Sequence, residues 1–117
     1  MAIAQRQSDR IARINSAGYI TGYRGSPVGG LDLEAWRESA LLQQYDVAFQ
    51  PSINEDRAAT ALWGTQLTDH YHTTSRKQGV FGYWYGKGHG VDRSAEVFRQ
   101  ANIQGTAKFG GALVIAA

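Results

Sequence analysis

The chain contains no cysteine, which excludes disulfides, thiolate-held metals and iron–sulfur clusters built from its own side chains. Proline is scarce, two residues in 117. Pro27 sits in a glycine-rich stretch and Pro51 closes a short apolar run. No apolar run approaches the length of a membrane span. The N-terminal stretch Met1 to Asp9 turns polar too early for a secretory leader. Charge of one sign is also missing: 12 basic and 10 acidic residues leave a formal charge of +2. Such a balance gives no electrostatic pull toward nucleic acid or a membrane surface. The basic stretches Arg6 to Arg13 and Arg76-Lys77 are interrupted by polar or apolar residues and read as solvated faces. These absences lead us to expect a cytoplasmic protein that engages neither nucleic acid nor membrane.

What is present fits one globular domain, with 43% hydrophobic and 19% charged residues. Ile3, Ala4, Ile11, Ala12 and Ile14 among charged residues predict an amphipathic helix over 3–16, stopped by Ala17-Gly18. Tyr19 to Tyr23 is rich in β-formers and predicts a strand. "RGSPVGG", 24–30, reads as a tight loop. A helix is expected over 32–44, with Leu33, Trp36, Ala40 and Leu41 on one face. Val47-Ala48-Phe49 follows as a strand. Ser52 and Asn54 are candidate caps for a helix running to about Thr68. "DHYHTTSRKQ" reads as a polar loop and "GVFGYWYG", 79–86, as a strand. "KGHG" reads as a turn, and Asp92 as the cap of a helix over 93–102. "ALVIAA", 112–117, is a strand apolar on both faces.

Strands that alternate with helices predict an α/β fold: a parallel sheet with helices on both faces. The first helix begins almost at Met1 and the chain stops inside its most core-like run, so a truncated, partial domain over 1–117 is expected. In such sheets ligands sit at the carboxyl ends of the strands. Three loops qualify: 24–30, 50–55 and 86–92. The first can bring backbone N–H groups and Ser26 to a ligand, yet it also reads as a plain strand-to-helix turn. In the third, Gly86 and Gly88 begin a dinucleotide fingerprint that fails at Val91. Lys87 there can meet a phosphate or carboxylate. Glu55 and Asp56 open the third helix, where the helix dipole favours acids by about 0.3–1 kcal/mol. The next turns are small: Ala58, Ala59, Ala61, Gly64 and Thr65. That surface suits close approach, and Glu55 at its mouth can share a proton with a ring nitrogen. His70 and His72 lack an evident third ligand, and no metal site is expected from this chain.

Four stretches together, "NSAGYITGYRGSPVGGLD", "FQPSINEDRAATALWGTQ", "GVFGYWYGKGHGVDRSAEVFRQAN" and "GTAKFGGALVIA", resemble the indolepyruvate ferredoxin oxidoreductase family in its fused bacterial form. The likeness runs in order through nearly the whole chain. It implies the pyrimidine-binding domain of a thiamine-diphosphate-binding fold, from an enzyme that oxidatively decarboxylates a 2-oxo acid to an acyl-coenzyme A with ferredoxin as electron acceptor. The resemblance assigns Glu55 the contact to N1′ of the aminopyrimidine, as the catalytic residue. It places Asn54 and the loop residues Gly25, Ser26 and Pro27 near the cofactor, and Lys87 and Gly88 at the edge of the site. Asp56 keeps the dipole role alone.

The chain departs from the family pattern at three positions. His89 stands where Pro is usual, Ser52 where Gly is usual, and Gln78 where Asp is usual. The Gly-Asp-Gly motif for diphosphate and Mg²⁺ is absent, as are cysteines for the clusters. The resemblance therefore implies a half-site, inactive alone, in an oligomeric enzyme whose remaining domains hold the magnesium ion and the iron–sulfur clusters. A reading from a different class is a stand-alone, non-catalytic α/β module that binds a partner or small ligand with the same surface.

Overall fold

The computed structural model describes residues 1–23, 29–67 and 77–116. Its elements in chain order are α1 (Ala2–Ile11), β1 (Ser16–Gly22), α2 (Gly29–Arg37), α3 (Ser39–Gln44) and β2 (Val47–Phe49). Then come α4 (Glu55–Thr65), β3 (Gly79–Gly86), α5 (Gly88–Arg93), α6 (Ala95–Gln104) and β4 (Gly111–Ala116). The four strands form one sheet in the order β2-β1-β3-β4. Each neighbouring pair is parallel, with Gly18 opposite Val47, Ile20 opposite Tyr83, and Tyr85 opposite Ile115. The α/β expectation is met.

Strand alternation divides the interior in two. Ile20, Val47 and Tyr85 pack with Ala2 of α1, Ala35 of α2 and Leu42 of α3. Their chain neighbours Tyr19 and Trp84 pack instead with Ala58, Ala59 and Leu62 of α4, Val91 of α5, and Val97 and Phe98 of α6. Successive strand side chains point to opposite faces, so helices cover both. Trp84 is fully buried, and its ring meets Phe98 edge-on with centroids 5.3 Å apart.

Several element boundaries differ from expectation, each for a local reason. Helix α1 ends at Ile11, well before Ala17-Gly18. Arg13 takes a left-handed conformation (φ 61°), and the turn is closed by Arg13 N–H to Arg10 O and Ile14 N–H to Asp9 O. This is a Schellman closure, with Arg where Gly is usual. Gly18 belongs to β1, where a Cβ would fall 2.7 Å from the Phe81 ring and 2.9 Å from Val47 Cγ2. Gly29 and Gly30 open α2 and are not part of a loop. The helix expected over 32–44 is two helices, broken at Glu38. Its expected apolar face is wrong. Leu33, Trp36 and Leu41 are exposed, while Asp32, Ala35 and Leu42 are buried. The stripe Leu31, Ala35, Glu38, Leu42 has equally good helical spacing, and the sheet selects it. The helix expected over 93–102 is α6, beginning two residues later, while Arg93 ends the separate helix α5 into which "KGHG" leads in place of a turn.

Two polar clusters replace apolar core where the elements end. Arg6, expected on a solvated face, is only 3% exposed. Its Nε donates to Tyr45 O and its Nη2 to Asp46 Oδ2 at 2.9 Å. Lys77 Nζ reaches the same oxygen at 2.9 Å. These hydrogen bonds, from Lys77 first and then Arg6, hold the Asp46 carboxyl below its ordinary range. Gln66, just past α4, is buried. Its amide donates to Val80 O and accepts from Gly111 N, tying α4 to β3 and β4.

Candidate functional site

Because the sheet is parallel, the exits of β1, β2 and β3 open on one edge. Tyr23, just past β1, bridges to Ser52, just past β2. The strand order turns back at β1: β2 lies on one side and β3 on the other. That is the switch point where an open α/β sheet leaves a crevice for ligands. Gly25, Ser26 and Pro27 lie outside the described residues, as do His70 and His72.

Helix α4 starts at this edge for a reason legible in the sequence. Asn54 is extended (φ −157°, ψ 171°), and its side-chain oxygen accepts from Arg57 N at 2.8 Å. It is the N-cap. Glu55 is therefore the first residue of the helix. It is 8% exposed, unusual for a carboxylate. Two contacts bury it. Its backbone oxygen accepts from the Trp84 indole N–H at 3.2 Å. Its side chain lies against Gly90 of α5, where a Cβ would stand 3.0 Å from Glu55 Cβ and 3.1 Å from Cδ. Only a residue without a side chain lets α5 approach α4 this closely. Among the described residues the Glu55 carboxylate accepts no hydrogen bond. The exposed Arg93 is a charged neighbour, with Nη1 4.0 Å from Oε2.

Asp56 has more than a dipole role. Its Oδ1 accepts from Ser94 Oγ at 3.1 Å, and its Oδ2 lies 3.5 Å from Arg93 Nη2. It thus anchors the α5–α6 junction to the start of α4. Arg93, which spans both acids, was not singled out from the sequence, because the helix expected to begin at that residue hid its place at the end of α5. Asp92 lies within α5, and Ser94 stands at the α6 cap position. Lys87 is the half-buried residue before α5, and Gly88 and His89 are exposed in its first turn. Lys87 and Gly88 thus occupy the β3 exit at the edge of the crevice.

The small-residue face of α4 divides. Ala58 and Ala59 are fully buried in the packing with Trp84. Ala61 and Gly64 are exposed. On the opposite face of the sheet, at the same end of β3, the buried Tyr85 hydroxyl bonds Asp32 in the first turn of α2. Consecutive residues of β3 thus hold the starts of two helices, α4 through Trp84 and α2 through Tyr85.

Among the described residues no group of three His, Cys, Asp or Glu side chains could hold a metal ion, and no helix is long and apolar enough to cross a membrane. The chain matches no family model, no curated protein and no solved structure.

Proposed function

We propose that this chain supplies the aminopyrimidine-binding half of a thiamine-diphosphate site in a 2-oxoacid:ferredoxin oxidoreductase of the indolepyruvate type. The observation that carries the reading is Glu55: a buried carboxylate at the first turn of α4, at the carboxyl edge of a parallel sheet, accepting no hydrogen bond from the described residues. A carboxylate in a largely buried residue, whose oxygens keep some solvent contact and meet no hydrogen-bond donor among the described residues, suits a ring N–H donor from a ligand. The donor set fits an aminopyrimidine in a second respect. Trp84, Ala58 and Ala59 make the ground beneath Glu55 apolar and dry, which strengthens a carboxylate–ring hydrogen bond.

When bound, thiamine diphosphate supplies the carbon nucleophile that attacks the 2-oxo group. Glu55 would hold a proton at the ring nitrogen N1′ of the bound group. Asn54 fixes the start of the helix, and Gly90 fixes where the Glu55 side chain can lie. In this reading Lys87, the residue before α5, meets an anionic group at the site edge. The chain has no cysteine and no Gly-Asp-Gly motif. In this reading magnesium, the diphosphate and the electron-transfer clusters belong to the remaining domains, and coenzyme A and ferredoxin bind the assembled enzyme. The 2-oxo acid class follows from the family resemblance.

The test is ligand-observed NMR with 4-amino-5-hydroxymethyl-2-methylpyrimidine. We expect saturable binding that weakens about tenfold or more in Glu55→Gln, as expected for loss of a hydrogen bond to a charged group. In a polypeptide that also carries the diphosphate-binding half, Glu55→Gln slows exchange of the cofactor's C2 proton. Equal binding and equal exchange in wild type and variant would sink the assignment.

A further inference from the structure

A cavity of about 330 Å³ opens at the same sheet edge, on the β2 side of α4. Its lining includes Tyr19, Gln50, Ser52, Ile53 and Arg57. Glu55 and Arg57 are two residues apart, about 200° around the helix. The cavity is therefore on the other side of α4 from the Glu55 carboxylate, and nothing in the preceding reading uses it.

The polar groups here are divided in a telling way. The backbone is satisfied: Ser52 N donates to Gly22 O and Gln50 N to Ile20 O, while Gln50 O accepts from the Thr21 hydroxyl at 2.8 Å. The side chains are not. Among the described residues the Arg57 guanidinium, the Ser52 and Tyr19 hydroxyls and the Gln50 amide have no intramolecular partner. Among the described residues no Asp or Glu lines the cavity. The acid next in sequence, Asp56, is turned to Ser94 and Arg93. A guanidinium with several neutral donors and no competing carboxylate is the chemistry that recognises an anion, and the guanidinium fork matches a carboxylate with two bonds. The Tyr19 ring, Pro51, Ile53 and Ala61 add apolar surface to the lining. Ile53 is 71% exposed, a large apolar side chain left at the mouth.

We propose that this cavity binds a small organic carboxylate, its charge held by Arg57 and Ser52 and its apolar part laid against Tyr19 and Ile53. The site is independent of the Glu55 reading and can stand if that reading fails.

The test titrates phenylacetate and its neutral counterpart phenylacetamide into the purified protein, followed by NMR shifts of the Tyr19 ring. Phenylacetate should bind at least tenfold more tightly than phenylacetamide. Arg57→Gln should abolish the difference. Arg57→Lys should keep only part of it, because an ammonium is a point charge without the bidentate fork. Arg57 is exposed, so the folded state tolerates both changes, and aminopyrimidine binding in Arg57→Gln should match wild type. Equal affinity for the two probes in wild type would overturn the proposal. So would a preference that survives Arg57→Gln, or displacement of phenylacetate by inorganic phosphate at equal concentration.

Discussion

Gly90→Ala tests the core of the site, because the placement of Glu55 depends on α5 approaching α4 without a side chain between them. A methyl at Gly90 would stand 3.0 Å from Glu55 Cβ and 3.1 Å from Cδ, and closer still to Cγ. Carbon atoms normally meet at about 3.5–4.0 Å, so relief requires roughly 0.5–1 Å of movement or more. The crowded atoms include Cβ, which follows the α4 backbone and cannot swing away as a side-chain tip would. Either the Glu55 side chain rotates, moving its carboxylate, or α5 lifts off α4. Overpacking of this kind costs about 1–3 kcal/mol. A Gly→Ala change in a helix returns about 0.5–1 kcal/mol. Gly88, in the same helix, provides the control: a Cβ there meets nothing within 4 Å. The difference between Gly90→Ala and Gly88→Ala isolates the close approach, since both gain the same kind of backbone term. Urea denaturation should place Gly90→Ala below Gly88→Ala by about 1–3 kcal/mol, and aminopyrimidine binding should weaken in Gly90→Ala alone. Equal stabilities and unchanged binding would refute the packing argument and leave the position of Glu55 without its cause.

Two further perturbations probe the frame around the site. Gln66→Leu should destabilise by about 1–2 kcal/mol, because it leaves the partly buried Gly111 N–H and Val80 O without the amide that pairs both. Hydrogen exchange at Gly111 should accelerate with it, and protection equal to wild type would contradict the role. Asp46→Asn keeps a residue that tolerates the left-handed backbone at this position (φ 58°) and removes the charge shared by Arg6, Lys77 and, at 3.9 Å, Arg10. The Asp46 carboxyl is held below 3.8 in the fold. Its contribution is therefore fully present above that value and fades as pH falls through the lower folded-state pKa. Asp46 is nearly half exposed, so solvent screening limits the effect to about 1 kcal/mol. Melting curves of variant and wild type should differ at pH 7 and converge once pH falls below the lowered folded-state pKa of Asp46. A gap that persists unchanged in acid would show that charge is not the cause.

The alternation of helix and strand was legible in the sequence, as was the parallel sheet. So was the start of α4, because a cap is local chemistry: Asn54 reaches Arg57 N three residues away. The apolar stripe of α2 and α3 was misread because two stripes have helical spacing, and the choice between them belongs to the sheet the helices cover. The end of α1 was misread because Arg13 takes a backbone turn that glycine usually marks.

The sequence by itself thus determined that Glu55 opens a helix at the exit of a short strand, and that the chain holds no cysteine for redox chemistry. The burial of that carboxylate was decided only by tertiary structure. Trp84 reaches Glu55 across 29 positions, and Gly90 meets it because β3 lies beside β1 and delivers α5 alongside α4. The separation of Glu55 from Arg57 onto two sides of α4 has the same origin. Helical geometry turns them to opposite sides, but only the sheet places α5 against one and the exits of β1 and β2 against the other. Contacts within one turn follow from local backbone chemistry, whereas contacts between elements exist only once the strand order has closed the loops that join them.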